Sequence, residues 1–341
     1  MSWLAYRAFK ALDRHDLDRA LPASGDNIAR LDKGSLLFEV DAPVRGQGGQ
    51  TLIDLRSEPG RNMDFFLKLT GNGAVRLRYQ KLDMMVPFGA ADWEQPLHVS
   101  FVWDKSAHKC RLDVECLESG DILTVSENIK IAVPTDLIQV LSRTRDPEKV
   151  SGAVVMFALS NEVAPISHLP SIEASSPVET PDGWRPIKEL AVGDLVLTDD
   201  HEAQPVRKIT SREVPAIGHF QPLRIRAPFF GLAQDILVAP HQSLVIHDDL
   251  VEYLFAEERV LVEAGQLSDG SAIFPEHNIS TVRYVQLIFD DHVILNVAGA
   301  EMSSQFNPEA GAAEGDPIHE ELACPSLRRY EALTLRSMRN A

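Results

Sequence analysis

From Lys33 to Val133 the apolar residues come in short runs, SLLFEVDAP, QTLIDLRSEPG, FFLKLTGNG, AVRLRYQKL, LHVSFVWD, KCRLDVECLESGD and ILTVSENIKIAV, with turn residues every 8 to 12 positions. This is strand texture, as expected of an antiparallel sandwich. A further apolar strand at Ala153 to Leu159 would close such a sandwich, and the Pro-containing stretch that follows sets a domain boundary near Pro165 to Pro170. Ahead of the strands, Leu4, Phe9, Leu12 and Leu17 have a loose helical spacing that Pro22 and Gly25 end, which predicts a leader helix or arm over residues 1–30.

The chain of 341 residues has room for two domains, each able to bury its own core. No apolar run approaches the roughly 20 residues that cross a bilayer. The first residues, MSWLAYRAFKALDRHDLDRA, carry charges throughout and do not read as a Sec signal peptide, which leaves a cytoplasmic protein or one exported by a leaderless route. A formal charge of -17 repels nucleic acid and anionic membranes. The basic residues that do cluster, in LRRYEALTLRSMRN, read as a solvated helix face. Oligomeric state is not legible.

Cys110, Cys116 and Cys324 are odd in number and lack a CxxC spacing, so no disulfide framework or thiolate metal site is expected. Cys110 and Cys116 fall on one face of a strand about 20 Å apart, too far for a bond, and read as reduced, half-buried residues. Eleven histidines are scattered without HExxH spacing, and no DxDxDG loop occurs. Neither metal nor other cofactor is expected. GQGGQ, with no Lys-Ser/Thr after it, reads as a hairpin turn or loop, and Asp92, Asp104 and Asp121 read as turn residues.

The segment LHVSFVWDKSAHKCRLDVECLESGD, with Val99, Phe101, Trp103, Asp104, Leu112, Val114 and the turn Ser119-Gly120-Asp121, resembles a strand pair of concanavalin-A-like (laminin-G-type) jelly rolls. The resemblance implies a lectin-like β-sandwich over 31–165, with a glycan or protein ligand as its partner.

A denser set of motifs begins at Ser171. Thr180-Pro181-Asp182-Gly183, Arg185-Pro186-Ile187, Glu189-Leu190, Gly193-Asp194, Val196-Leu197-Thr198 and Gln204-Pro205-Val206 follow one another in the order typical of bacterial Hint (Hedgehog/intein) domains. DILVAPHQSLVI, VRYVQLIFDDHVILNVAGAEMSSQF and ACPSLRRYEALTLR continue that order downstream. The expected fold is all-β throughout: an antiparallel jelly-roll-like sandwich, then a compact Hint-type β domain with a C-terminal extension over 166–341. Thr180, Gly193 and Asp194 are its scaffold residues.

What the resemblance implies chemically is self-processing. A nucleophile attacks the carbonyl of its own preceding peptide, giving a thioester or ester, while a Thr-x-x-His block protonates the departing nitrogen. Counting back from Thr180 puts the nucleophile at Ser171, with Ser175 or Ser176 as alternatives if the loop is shortened. Its neighbour Pro170 has a restricted backbone, which makes the shift harder. Ala239 stands where the second block has its hydroxyl and Gln242 where it has its His; His241 is one place early, which in a strand turns it to the opposite face. His292 matches a His of the class, and Gln286 stands where many members carry another. The candidate catalytic set is therefore Ser171, His241 and His292, and the expected activity is at most a single-turnover N-to-O acyl shift. No Asn follows a terminal His, which argues against full splicing. The competing reading is a non-catalytic two-module binding protein. An ordinary hydrolase lacks both a nucleophile elbow and paired carboxylates.

Overall fold

The computed structural model describes residues 3–9, 30–42, 49–56, 64–88, 95–119, 121–144, 146–164, 171–199, 202–306 and 322–339. They fall into two units, Met1–Ser167 and His168–Ala341.

The first unit contains β1 (Trp3–Ala8), β2 (Arg30–Leu31), β3 (Lys33–Val40), β4 (Gln50–Asp54), β5 (Phe65–Thr70), β6 (Ala74–Tyr79), β7 (Leu82–Pro87), β8 (Leu97–Asp104), β9 (Lys109–Cys116), β10 (Ile122–Glu127), β11 (Val133–Pro134), α1 (Thr135–Arg143) and β12 (Val154–Ser160). A six-stranded antiparallel sheet, β1-β12-β3-β8-β9-β10, and a four-stranded meander, β4-β5-β6-β7, enclose one core, with β2 and β11 as a small separate pair. Alternation does the sorting. In β6 and β7, Val75, Leu77, Tyr79, Leu82, Met84 and Val86 are buried while Arg76, Arg78, Asp83 and Met85 are exposed. Each large apolar side chain fully buried this way contributes about 1.5–3 kcal/mol.

Aromatic rings fill the centre: Phe65 lies 6.1 Å from Phe38, 6.2 Å from Tyr79 and 6.4 Å from Phe101, and Phe101 stacks on Trp103 at 5.5 Å. Their polar tips are met. Trp103 Nε1 donates to the Leu31 carbonyl at 2.9 Å and the Tyr79 hydroxyl to that of Ala132 at 3.0 Å. Asp104 closes the β8–β9 turn by accepting from the Ser106 and Ala107 amides.

Three expectations change here. Trp3–Ala8, placed in a leader helix or arm, is a strand paired with Met156 to Ser160 of β12; its short apolar spacing fits either period, and pairing with a distant partner decided it. Residues 10–29 of that leader lie outside the described residues, as do Asp92 and most of GQGGQ. Cys110 and Cys116 are reduced but wholly buried rather than half-buried, because both face the core side of β9. Finally, α1 interrupts the strand texture, burying Leu137, Ile138 and Leu141 on one face.

In the second unit, Ser171 opens onto β13 (Ile172–Glu173), followed by β14 (Pro177–Thr180), β15 (Gly183–Pro186), β16 (Leu195–Leu197), β17 (Ala203–Pro205), β18 (Lys208–Pro215), β19 (Leu223–Ile225), β20 (Ile236–Val238) and β21 (Ser243–Ile246). After these come α2 (Asp249–Phe255), β22 (Val260–Glu263), α3 (Ala264–Leu267), β23 (Ile273–Pro275), β24 (Thr281–Phe289), β25 (Ile294–Val297), β26 (Ala300–Ser303), β27 (Gln305–Phe306) and α4 (Arg329–Arg339). One sheet runs β18-β24-β13-β20-β19-β23, with β27 beside β24; a second runs β15-β14-β25-β26-β21-β22, and β16 and β17 form a ribbon. The second core lies among them. The C-terminal basic cluster is a helix, as expected, but two of its arginines fold back: Arg336 donates to the Ser268 carbonyl at 2.9 Å and Arg339 pairs with Asp248 at 2.9 Å.

Candidate functional site

Ser171 is placed by strands remote in sequence. Ile172 pairs with Val285 of β24 on one side and Val238 of β20 on the other, so Ser171 falls opposite Gln286 and beside Ala239. The Ala239 amide donates to the Ser171 carbonyl at 2.7 Å. After Ala239 the chain turns at Pro240-His241, closed by the Gln242 amide on the Ala239 carbonyl at 3.0 Å, and this brings Gln242 back over Ser171.

The Ser171 hydroxyl then sits 2.5 Å from Gln242 Oε1 and 2.6 Å from Gln286 Oε1, with all three side chains buried. One hydroxyl proton serves one acceptor. Gln242 Nε2 donates to the carbonyls of Ser243 at 2.9 Å and Ser303 at 3.1 Å, which fixes its oxygen toward Ser171. Gln286 Oε1, on the other side of the hydroxyl, competes for the same proton. Gln286, Ser171, Gln242 and Ser303 thus form one hydrogen-bonded chain. The hydroxyl of the candidate nucleophile lies between two amides, and neither amide is a base that can take its proton at neutral pH.

The two candidate histidines have other partners. His241 lies in the β20–β21 turn rather than in a strand, because Pro240 has no amide proton for a ladder. Its ring stacks on that of His219 with centroids 5.4 Å apart, and it lines a small enclosed space with Arg212, Phe220, Ala239 and Tyr284. His292, expected at a strand start, is buried in the connection between β24 and β25, where its Nδ1 accepts from the Ala323 amide at 3.2 Å. What the structure gathers around Ser171 is the set of aligned positions, Ala239, Gln242 and Gln286. His219 and Ser303 escaped the sequence reading; a lone His in GHF and a Ser in a strand carry no spacing that marks them.

The scaffold residues make the turns around this centre. Thr180 Oγ1 donates to the Gly183 carbonyl at 2.6 Å, closing the β14–β15 hairpin over Pro181-Asp182. Gly193 has φ +94°, which lets the chain turn into β16. The adjacent Asp194 carboxylate accepts from the Ala191 amide at 3.1 Å and Arg185 at 3.0 Å. Burial pushes the Tyr284 hydroxyl strongly up, and it donates to the Phe220 carbonyl at 3.1 Å.

A family model for the Hint domain matches residues 170–309. Among solved structures, the chain is similar to a bacterial intein-like domain from Clostridium thermocellum at 16% identity, covering 40% of this chain and 100% of that one with a TM-score of 0.30. It is similar to the MchDnaB-1 intein at 15% identity, over 39% of this chain and 99% of that one, TM-score 0.27. Similarity also extends to the CBM40 of Ruminococcus gnavus IT-sialidase bound to alpha2,3 sialyllactose, at 13% identity over 40% of this chain and 80% of that one, TM-score 0.29. A search of the curated proteins finds no match. The second unit of this all-β chain carries a Hint domain at residues 170–309.

Proposed function

We propose that the Hint domain is an autoprocessing scaffold with degenerate catalytic residues, joined to a lectin-like sandwich over 31–165, and that the full chain persists uncleaved. The observation that supports this reading is the Ser171 hydroxyl held between two glutamine amides. An N-to-O shift would form a bond from Ser171 Oγ to the Pro170 carbonyl carbon and break that carbon's bond to the Ser171 nitrogen. The hydroxyl proton must leave and the nitrogen must gain one. No titratable side chain among the described residues hydrogen-bonds that hydroxyl. The test is intact-mass spectrometry of the purified full chain with and without hydroxylamine at neutral pH. A single species at 37.8 kDa in both samples is expected. Hydroxylamine-dependent scission between Pro170 and Ser171 would overturn the reading.

A further inference from the structure

We infer that the exposed face of the four-stranded meander β4-β5-β6-β7 binds a short anionic glycan, a carboxylated or sulfated oligosaccharide; this rests on the lectin-like reading of the first unit. In the other sheet of this unit, the outward positions Ser35, Leu37, Ser100, Val102, Met156 and Ala158 are buried. The meander's outward face is partly open, with Met85 50% exposed and the Arg76 and Arg78 side chains 44% and 49% exposed, while Phe66 is covered.

The charge of this face opposes that of the chain. Among the described residues, Arg56, Lys68, Arg76 and Arg78, with Lys81 in the β6–β7 turn, stand against Asp54, Asp64 and Asp83, five cations to three carboxylates, on a protein of formal charge -17. The register sets them in two rungs: Thr51, Lys68, Arg76 and Met85 in one, Asp54, Phe66, Arg78 and Asp83 in the next.

Two of the cations are committed. Arg76 grips Asp83 in a fork at 2.8 and 2.5 Å, and Arg56 grips Asp54 at 3.0 and 2.6 Å while lying 4.1 Å over the Phe66 ring. Arg78 shares the Asp83 carboxylate only loosely, its Nε 3.7 Å from Oδ2, and its planar fork is carried on a side chain that is 49% exposed. Bidentate recognition of a carboxylate or sulfate is what that fork suits. Lys68 supplies a second positive charge in the adjacent rung.

Size decides between classes of polyanion. Two rungs are about 7 Å apart along the strands and four strands span about 14 Å, the footprint of a few sugar rings. A nucleic acid would reach past this patch onto acidic surface, where the chain repels it.

The experiment uses the full chain. Binding of a sulfated heparin oligosaccharide and of an oligogalacturonate is measured by calorimetry at low and physiological salt, beside a neutral glucan of equal length and a single-stranded oligonucleotide. The expected result is binding of at least one anionic sugar that weakens with salt and falls tenfold or more in Arg78→Ala and in Lys68→Gln, with thermal unfolding unchanged. Arg283→Ala, at a 60% exposed arginine of the other unit, leaves it unaltered. Anionic binding that survives both face variants overturns the site. Neutral-glucan binding alone overturns it while leaving the lectin-like reading standing. Binding of none of the sugars overturns both, and an oligonucleotide bound as tightly as the sugars overturns the choice of partner.

Discussion

Ser171 Oγ and Gln242 Oε1 meet at 2.5 Å although 71 positions separate the two residues in the chain. The contact joins the start of the Hint domain to the turn after β20, and the Gln242 nitrogen carries it on to Ser303.

Replacing Gln242 with Leu removes the acceptor of the Ser171 proton and the donor to the Ser303 carbonyl in a buried setting. The expected loss is about 1–3 kcal/mol of stability in the second unit. Urea unfolding followed by a probe in residues 171–306 checks it, and an unchanged midpoint would show that the amide chain adds nothing. Ser171→Ala removes a single hydroxyl and is expected to cost less.

Gly34 in β3 has no room for a side chain, since a Cβ there would lie 2.7 Å from the Ser160 carbonyl oxygen and 2.8 Å from Trp103 Cζ2. Gly34→Ala is expected to destabilise the first unit by about 1–3 kcal/mol through overpacking. Gly152→Ala, with nothing within 4 Å, is the matched control and is expected to leave the midpoint within about 0.5 kcal/mol of the parent. Equal midpoints for the two variants would contradict this packing.

Cysteine labelling reports the core directly. Burial pushes the Cys110 thiol up to about 12, with Glu127 adding to the effect, and burial also raises Cys324. The reactive thiolate is therefore scarce at pH 8. Iodoacetamide is expected to modify none of the three cysteines in the native chain and all three in urea, as read by peptide mass spectrometry. Rapid native labelling of Cys110 would place β9 at the surface.

Acid stability should depend on Glu276. Burial raises its carboxyl, but the Asn278 amide at 2.7 Å and the Arg224 fork at 2.5 and 2.9 Å more than offset this, so it titrates below the ordinary value. A depressed folded value means that its stabilisation is complete above the unfolded value of about 4.3 and is lost as pH falls through the folded one. Glu276→Gln is expected to be less stable than the parent at pH 7 and to lose less on acidification below pH 4. Parallel stability curves for the two proteins across that range would sink the assignment.

The strands and their inward residues were legible because turn residues punctuate them and alternation sorts faces, as with Trp103 buried at the end of β8. The same local logic misread Trp3–Ala8, whose six residues fit a helical or a strand period until β12, some 150 positions later, supplies its partner. It also passed over α1, although Asp136 in its first turn and the apolar spacing of Leu137, Ile138 and Leu141 mark an amphipathic helix. In the candidate site, motif order located Ser171, Ala239, Gln242 and Gln286 individually. Their convergence depends on β13 lying between β20 and β24, and the stacking of His241 on His219 depends on a turn where strand alternation no longer holds.

The clustering of these four positions around one hydroxyl also has a genetic meaning. Alanine to threonine and glutamine to histidine are each reachable by a single base change from any of their codons, and serine to cysteine from most serine codons. The residues that a self-processing Hint centre would ask for at positions 239, 242 and 286 thus lie one base change away, and that at position 171 lies one away from most serine codons. The strands that would aim them are already in place.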